Sequence, residues 1–155
     1  MQKEQIREFT LRISQGNKSE IIVVLFDVLR VYLEAAEKAS SYEKLKEEIR
    51  NAQAVIYDLR KSLNRKYEIA VSLDSLYSYW YKTLEMAVVK NDNSNIPAVK
   101  RMTVKIRDAF DKAAQTDDSA PAMSNTEKVY AGLTYGRGAL SETTDITGGG
   151  RGFLA

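Results

Sequence analysis

Apolar residues between positions 45 and 63 recur at alternating intervals of four and three residues. The series is Leu45, Ile49, Ala52, Ile56, Leu59 and Leu63. Alternating steps of this kind keep one stripe of an α-helix apolar, and such a stripe is the seam along which helices pack in a bundle. The same rhythm returns in Ala70, Leu73, Tyr77, Trp80, Leu84 and Ala87. The pattern therefore predicts long amphipathic helices that pack against one another.

Capping and loop-forming residues divide the chain into five predicted helices. The first runs from about residue 2 to residue 13 and carries Ile6, Phe9 and Ile13 at helical spacing. The second opens with a capping box, Asn17 followed by Glu20, and continues to about residue 39. The third is predicted to begin with a capping box of Ser40 and Glu43 and to end near Leu63. The fourth is predicted to include Ala70 to Ala87, and the fifth to have Pro97 in its first turn and to end near Ala113.

Short loops between long amphipathic helices favour antiparallel neighbours. The predicted fold is therefore all-α, an antiparallel up-down four-helix bundle in residues 16–114, preceded by a short N-terminal helix in residues 1–15. Seven of the eight glycines lie between Gly132 and Gly152. Because glycine, serine and threonine are abundant there, we expect residues 115–155 to form a flexible, disordered tail.

Histidine and cysteine are both absent from the 155 residues. Their absence removes the commonest metal ligand and general base, and with them thiolate zinc sites, Ser-His-Asp triads and Cys-His dyads. Adjacent acidic residues such as Glu47 and Glu48 point in different directions on a helix, which makes them poor candidates for paired acid–base catalysis. We predict that the protein is not an enzyme and uses no metal or cofactor.

Charge and hydropathy argue against nucleic-acid and membrane partners. Basic residues, 23 in number, nearly balance the 21 acidic ones, and the sequence contains no basic stripe. The longest unbroken apolar run extends from Ile21 to Phe26, which is far short of the ~20 residues that span a bilayer. The first ten residues are charged and polar, unlike a signal peptide. We therefore expect no membrane insertion and a cytosolic location.

Two of the predicted helices carry more apolar surface than one packing stripe requires. The run from Ile21 to Phe26 places apolar side chains around the whole second helix, and the aromatic residues between Tyr77 and Tyr81 spread over a wide arc of the fourth. Either the N-terminal helix and the tail cover these faces, or a partner chain does, since exposed apolar patches mark partner sites. Both interpretations remain open from the residues alone.

Four segments, in order along residues 9–113, resemble the flagellar export chaperone family FliS. They are Leu25-Phe26-Asp27, the third-helix pattern from Ala52 to Leu63, the segment Ile69-Ala70-Val71-Ser72-Leu73-Asp74-Ser75-Leu76-Tyr77-Ser78-Tyr79, and the stretch from Ala87 to Asp92 that closes the fourth helix. Two positions depart from the family pattern. Gly16-Asn17-Lys18 stands where members usually have Ala-Ser-Pro, and Ser72 replaces an asparagine.

The resemblance implies a cytosolic chaperone that binds the disordered C-terminal segment of flagellin. Such a chaperone prevents premature polymerisation and delivers the flagellin to a gate component of the flagellar type III export apparatus. An N-terminal segment can cover part of the binding groove in the free state. The residues that we predict to line the groove are Leu25, Phe26, Leu29, Tyr77, Trp80 and Tyr81, and those predicted to form the N-terminal cap are Ile6, Phe9 and Ile13.

The alternative function is a helical-bundle adaptor or scaffold that self-associates through its aromatic face. A chaperone is expected to be a monomer or a weak dimer, whereas the scaffold would form a stable dimer that is indifferent to flagellin. The tail contains apolar anchors, in Val129 to Gly136 and in Phe153-Leu154, separated by small residues. These anchors either bind a partner or fold back on the bundle, and the sequence leaves both options open.

Overall fold

A computed structural model describes residues 1–123, and these residues are all-helical without a strand. The helices are α1 (Lys3–Gln15), α2 (Lys18–Glu37), α3 (Tyr42–Lys61), α4 (Glu68–Lys90) and α5 (Ile96–Ala114). The all-α prediction is confirmed, with five helices in the predicted order. The glycine-rich part of the tail, from residue 124 onward, lies outside the described residues.

The chain divides into two compact units, one formed by residues 1–21 with the chain from 117 onward and the other by residues 22–116. In the first unit the predicted capping box at Asn17 is present. The Asn17 amide donates to Glu20 Oε2 at 2.8 Å, and the Glu20 amide donates to Asn17 Oδ1 at 2.9 Å. The chain beyond α5 returns to this turn, because Asn17 Nδ2 donates to the Asp117 carbonyl at 3.0 Å and the Ala122 amide donates to the Gly16 carbonyl at 3.0 Å.

The second predicted capping box was placed one residue too early. Ser41, not Ser40, is the N-cap of α3, and its hydroxyl accepts a hydrogen bond from the Lys44 amide at 3.2 Å. The third residue of the helix is therefore Lys44 rather than Glu43, and the reciprocal bond of a capping box cannot form. Two adjacent serines offer the same capping chemistry, so the sequence does not distinguish between them.

Most of the apolar seam residues read from the sequence form the core of residues 22–116, whereas Leu63, Ala70 and Leu73 line an open groove described below. The core residues are Phe26, Leu29, Leu33 and Ala36 from α2, Leu45, Ile49, Ala52, Val55, Ile56 and Leu59 from α3, Tyr77, Trp80, Leu84, Ala87 and Val88 from α4, and Ile96 and Val99 from α5. Aromatic rings meet at its centre, where Tyr77 lies 5.4 Å from Trp80 and 6.3 Å from Phe26 between ring centroids. Tilted pairs at these distances stabilise a core beyond the area that they bury.

Ion pairs between helices show that α3 and α4 run antiparallel. Arg50 in the middle of α3 pairs with Glu85 in the last third of α4, and Arg60 near the end of α3 pairs with Asp74 in the first third of α4, at 2.8 Å between Nε and Oδ1. The same reasoning applies to α2 and α5. Asp27 in the middle of α2 accepts a hydrogen bond from Arg107 Nε in the second half of α5 at 2.9 Å, and Glu37 at the end of α2 pairs with Lys100 near the start of α5. These contacts give the up-down order that the short loops predict.

Acid is expected to weaken the α3–α4 contact through Glu85. Arg50 and Gln53 donate hydrogen bonds to its carboxylate and lower the pKa of Glu85 from 4.5 to about 2. A folded-state pKa below the unfolded value means that the stabilisation is complete above pH 4.5 and is lost as the pH falls through about 2. Because the carboxylate is well exposed, the effect is small.

This expectation is checked by urea unfolding of the wild type and of Glu85→Gln at about pH 6 and about pH 2.5. The wild type should be the more stable protein at the higher pH, and the difference should shrink at the lower one. A difference that stays constant between the two pH values would show that Glu85 is not responsible.

Candidate binding groove

An open apolar groove lies at the end of the bundle where α4 begins and α5 ends. Its volume is ≈ 400 Å³. The lining residues are Ile22 from α2, Ser62, Leu63, Asn64 and Tyr67 from the α3–α4 connection, Ile69, Ala70, Leu73 and Tyr77 from α4, and Ile106, Ala109, Phe110 and Ala113 from α5. Among these lining residues, only Ser62 and Asn64 have small polar side chains without an aromatic ring or a large aliphatic group. Apolar concavities of this size are the usual form of a binding site.

Small side chains on α5 and a long α3–α4 connection open this groove. Ala109 and Ala113 occupy two successive turns of α5 on the groove side, so the space that a larger residue would fill remains empty. The connection adds Ser62, Leu63, Asn64 and Tyr67 to the lining. Ile69 in the first turn of α4 is 65% exposed although it lines the groove.

Tyr77 links the groove to the core below it. Its side chain lines the groove, yet it is almost fully buried and packs against Phe26 and Trp80. Burial raises the pKa of the Tyr77 phenol well above its ordinary value, so the hydroxyl stays neutral at physiological pH. Phe110 on the opposite wall contacts Phe26 with ring centroids 5.5 Å apart. The aromatic contacts fix the floor, whereas Ile69 and Tyr67 are exposed at the mouth.

The residues predicted to line a client groove occupy three different environments. Phe26, Leu29, Tyr77 and Trp80 are buried, Leu25 is half-buried, and Tyr81 is exposed. Tyr77 alone among these six lines the groove described above. The structure thus brings Phe26, Tyr77 and Trp80 together in the core, and it places Tyr81 apart from them on the surface of α4. A role of these six in client binding remains a prediction.

The three residues predicted to form an N-terminal cap lie along α1. Phe9 is buried, Ile13 is half-buried, and Ile6 is exposed. Thr10 and Ser14 are buried beside Phe9, and each hydroxyl donates to a carbonyl of its own helix, at 2.6 Å and 2.8 Å. The helix therefore has one buried face, and its role as a removable cover remains a prediction.

Comparison with known proteins identifies the family. Residues 2–117 match the family model described as flagellar protein FliS, which is well over half of the chain. The chain belongs to the FliS family. Over 108 residues it is 27% identical to the flagellar secretion chaperone FliS of Bacillus subtilis (strain 168), a match that covers 68% of this chain and 81% of that protein. The resemblance found in the sequence is confirmed, and the family assignment makes this chain a flagellar export chaperone.

Several groove residues of this FliS-family chain were not among the residues predicted from its sequence. They are Ile22, Leu63, Tyr67, Ile69, Leu73, Ile106, Ala109, Phe110 and Ala113. One signal was available, since Ile106, Phe110 and Ala113 follow the apolar rhythm of α5 in a region where Ala109 and Ala113 are small. That rhythm alone does not separate a groove wall from a core seam, because both demand apolar side chains at helical spacing.

A second exposed apolar stripe runs along the outward side of α4 in this FliS-family chain, away from the groove. Its members are Val71, Tyr79, Met86 and Val89. Val71 is 65% exposed, the same fraction as Ile69 two residues earlier, but it does not line the groove. This pair allows an experiment that separates the groove from general surface hydrophobicity. Within residues 1–123, none of the helices combines the length and the apolar character needed to cross a membrane.

Proposed function

We propose that this FliS-family chain is a cytosolic export chaperone that binds the C-terminal segment of flagellin in the groove between α4 and α5. Binding of that segment prevents flagellin from polymerising before export. The loaded chaperone then presents the flagellin to a gate component of the flagellar type III export apparatus. The observation that supports this proposal is an open groove lined almost entirely by apolar side chains, in a chain that belongs to a chaperone family.

A disordered client loses conformational entropy when it becomes ordered, and the free energy of binding has to offset that loss. An apolar groove supplies that free energy at roughly 25 cal/mol per Å² of apolar surface removed from water. A groove between two helices also suits an amphipathic helix, which lays its apolar face into it with side chains at helical spacing. Ile69 on α4 and Phe110 on α5 line opposite walls, so each can contact one side of such a helix.

Tyr81 and Leu25 extend the proposed client surface beyond the groove. A client segment that wraps around the bundle requires a second contact area, and Tyr81 is an exposed aromatic residue on α4. Tyrosine combines a large apolar ring with a polar tip and is enriched at protein interfaces. The buried residues Phe26, Leu29 and Trp80 would act beneath this surface by holding α2 and α4 in place.

The test is a calorimetric titration with flagellin and with flagellin that lacks its C-terminal segment, combined with measurement of mass in solution. We expect a 1:1 complex with the intact protein and no binding with the truncated one. Equal binding of both proteins would contradict the proposal. A stable dimer of the chain that ignores flagellin would instead favour a self-associating scaffold that uses the exposed aromatic surface of α4.

We further propose that α1 competes with the client for part of the binding surface. Phe9 and Ile13 form an apolar face on a short helix that is joined to the bundle by a single turn at Gly16 and Asn17. A short helix of this kind is only marginally stable alone, so a client can displace it at low cost. Ile6 adds apolar surface to the same helix.

Deletion of residues 1–14 is therefore expected to tighten flagellin binding several-fold. The deletion removes the competitor without touching any residue of the groove. The dissociation constants of the full chain and the shortened chain for the same flagellin C-terminal peptide would be compared by fluorescence anisotropy. If the two constants agree, α1 does not act as a cover.

A further inference from the structure

Two exposed lysines border the groove along its α5 edge. Lys105 and Lys112 lie four residues before and three residues after Ala109, so the three residues share one face of the helix. Ala109 lines the groove. The two ammonium groups therefore lie beside the apolar wall rather than on a distant part of the surface.

The α3–α4 connection brings further positive charge to the groove. Arg65 and Lys66 are exposed and stand between two residues that line it. Asp74 on α4 pairs with Arg65 at 3.3 Å and with Arg60 at 2.8 Å. One carboxylate thus serves two guanidinium groups, which hold the pKa of Asp74 below its ordinary value. This end of the groove keeps a surplus of positive charge.

The lysines beside the groove have no acidic partner of their own. Among residues 1–123, Lys66, Lys105 and Lys112 form no ion pair. Glu68 is the acidic residue of α4 closest to the connection, and it precedes the groove residue Tyr77 by nine positions. That separation is about two and a half helical turns, so Glu68 projects from the opposite side of α4.

The acidic residues in the second half of α5 gather away from the groove. Asp108 and Asp111 pair with Arg107 at 3.5 Å and 3.3 Å. Arg107 also donates a hydrogen bond to Asp27 on α2, so this cluster lies on the α2 side of the helix. The charges of α5 are consequently sorted, with the basic side chains along the groove and the acidic ones elsewhere.

We propose that the groove selects client helices that carry acidic side chains along the edge of their apolar face. A helix whose apolar face contacts Ile106 and Phe110 would place its flanking residues beside the lysines. Carboxylates at those positions meet opposite charge, whereas basic residues meet like charge. The inference rests on the proposed function for the identity of the client, and it adds the chemistry that the client must carry.

The expected selectivity is moderate because the lysines are exposed to solvent. A single exposed ion pair changes affinity only a few-fold, but three lysines acting together should favour an acidic over a basic flank by about tenfold. Salt screens exposed charges over about 10 Å at 0.1 M ionic strength and over about 3 Å at 1 M. The preference should therefore be strongest at low salt and nearly absent at about 1 M.

The test uses two synthetic amphipathic helices and the full chain. Both probes have the same leucine face, and one carries glutamate and the other lysine at the flanking positions. Fluorescence anisotropy should show about tenfold tighter binding of the acidic probe at low salt. The methyl signals of Ala109 and Ala113 locate the probe, because both residues line the groove, whereas Ala54 is exposed on α3 and does not. Failure of both probes to bind, or shifts at Ala54 alone, would overturn the proposal.

Lys105→Glu combined with Lys112→Glu is the decisive variant. Its matched control combines Lys46→Glu with Lys90→Glu, two exposed residues near the start of α3 and at the end of α4. Both pairs of substitutions change the net charge equally, but the control leaves the groove edge intact. The preference for the acidic probe should disappear or reverse in the first variant and persist in the control. A preference that survives in the first variant, or that is lost in both, would contradict a role of the groove edge.

The two proposals about this groove can fail separately, because neither probe contains a flagellin sequence. A chain that prefers the acidic probe but binds no flagellin would support the charge selectivity and refute the proposed function. Flagellin binding by a chain that treats both probes alike would support the proposed function and refute the charge selectivity.

Discussion

Ile69→Glu is expected to weaken binding of the flagellin C-terminal segment by at least about 30-fold while the bundle stays folded. The native side chain lines the groove and is 65% exposed in the free protein, so a client would bury it. Losing that burial costs about 2 kcal/mol, and a carboxylate enclosed by Phe110 and Leu73 adds a desolvation penalty. Because the residue is exposed before binding, the same substitution costs the free protein little stability.

Val71→Glu is the matched control for this prediction. Val71 lies two residues further along the same helix and has the same exposed fraction of 65%, yet it faces away from the groove. Both variants introduce one negative charge at an exposed position of α4. Isothermal titration with the flagellin peptide should therefore show a loss of affinity for Ile69→Glu alone.

Circular dichroism and urea midpoints of the two variants should remain close to those of the wild type. A loss of affinity in Val71→Glu alone would mean that the outer stripe of α4, and not the groove, carries the client, and equal losses in both variants would show a general effect of the added charge rather than a groove contact. Retained affinity in both would leave the groove without a role in binding. In each of these cases, Tyr81 and the remaining exposed residues would be the next candidates for the client surface.

Helical seams could be read from the sequence because they depend only on local periodicity. The steps of four and three in α3 and α4 correspond to the residues that form the core, from Leu45 to Leu59 and from Tyr77 to Ala87. Any helix with such a stripe must bury it, whatever its neighbours are. The Asn17 cap was predictable for the same reason, since both of its hydrogen bonds join residues three apart.

The groove could not be read from the sequence, because it depends on which helices meet and on where space is left between them. Ala109 and Ala113 look like ordinary seam residues until α4 and the α3–α4 connection are placed beside them. Trp80 and Tyr81 are adjacent aromatic residues of similar character, yet one is fully buried and the other is exposed. Only the direction of each side chain, about 100° apart on the helix, decides between core and surface.

Trp80→Ala is expected to lower the free energy of unfolding by about 3–5 kcal/mol. The indole is the largest of the fully buried side chains, and it packs against Tyr77 at 5.4 Å between ring centroids. Truncation would leave a cavity beside Tyr77 that the close-packed core can close only in part. Urea unfolding should show a lower midpoint with an unchanged slope, because the surface exposed on unfolding stays nearly the same.

Trp80→Phe separates the role of this residue in packing from any role in binding the client. The indole Nε1 atom is buried without a hydrogen-bond partner, so phenylalanine removes volume and also removes an unsatisfied donor. The two effects oppose each other, and the loss of stability should be well below that of the alanine variant. Because Trp80 does not line the groove, the phenylalanine variant should bind the flagellin peptide within about threefold of the wild type. A large loss of affinity at nearly native stability would instead assign Trp80 to the client surface. Because its side chain has no exposed area in the free protein, that result would also mean that α4 opens on binding.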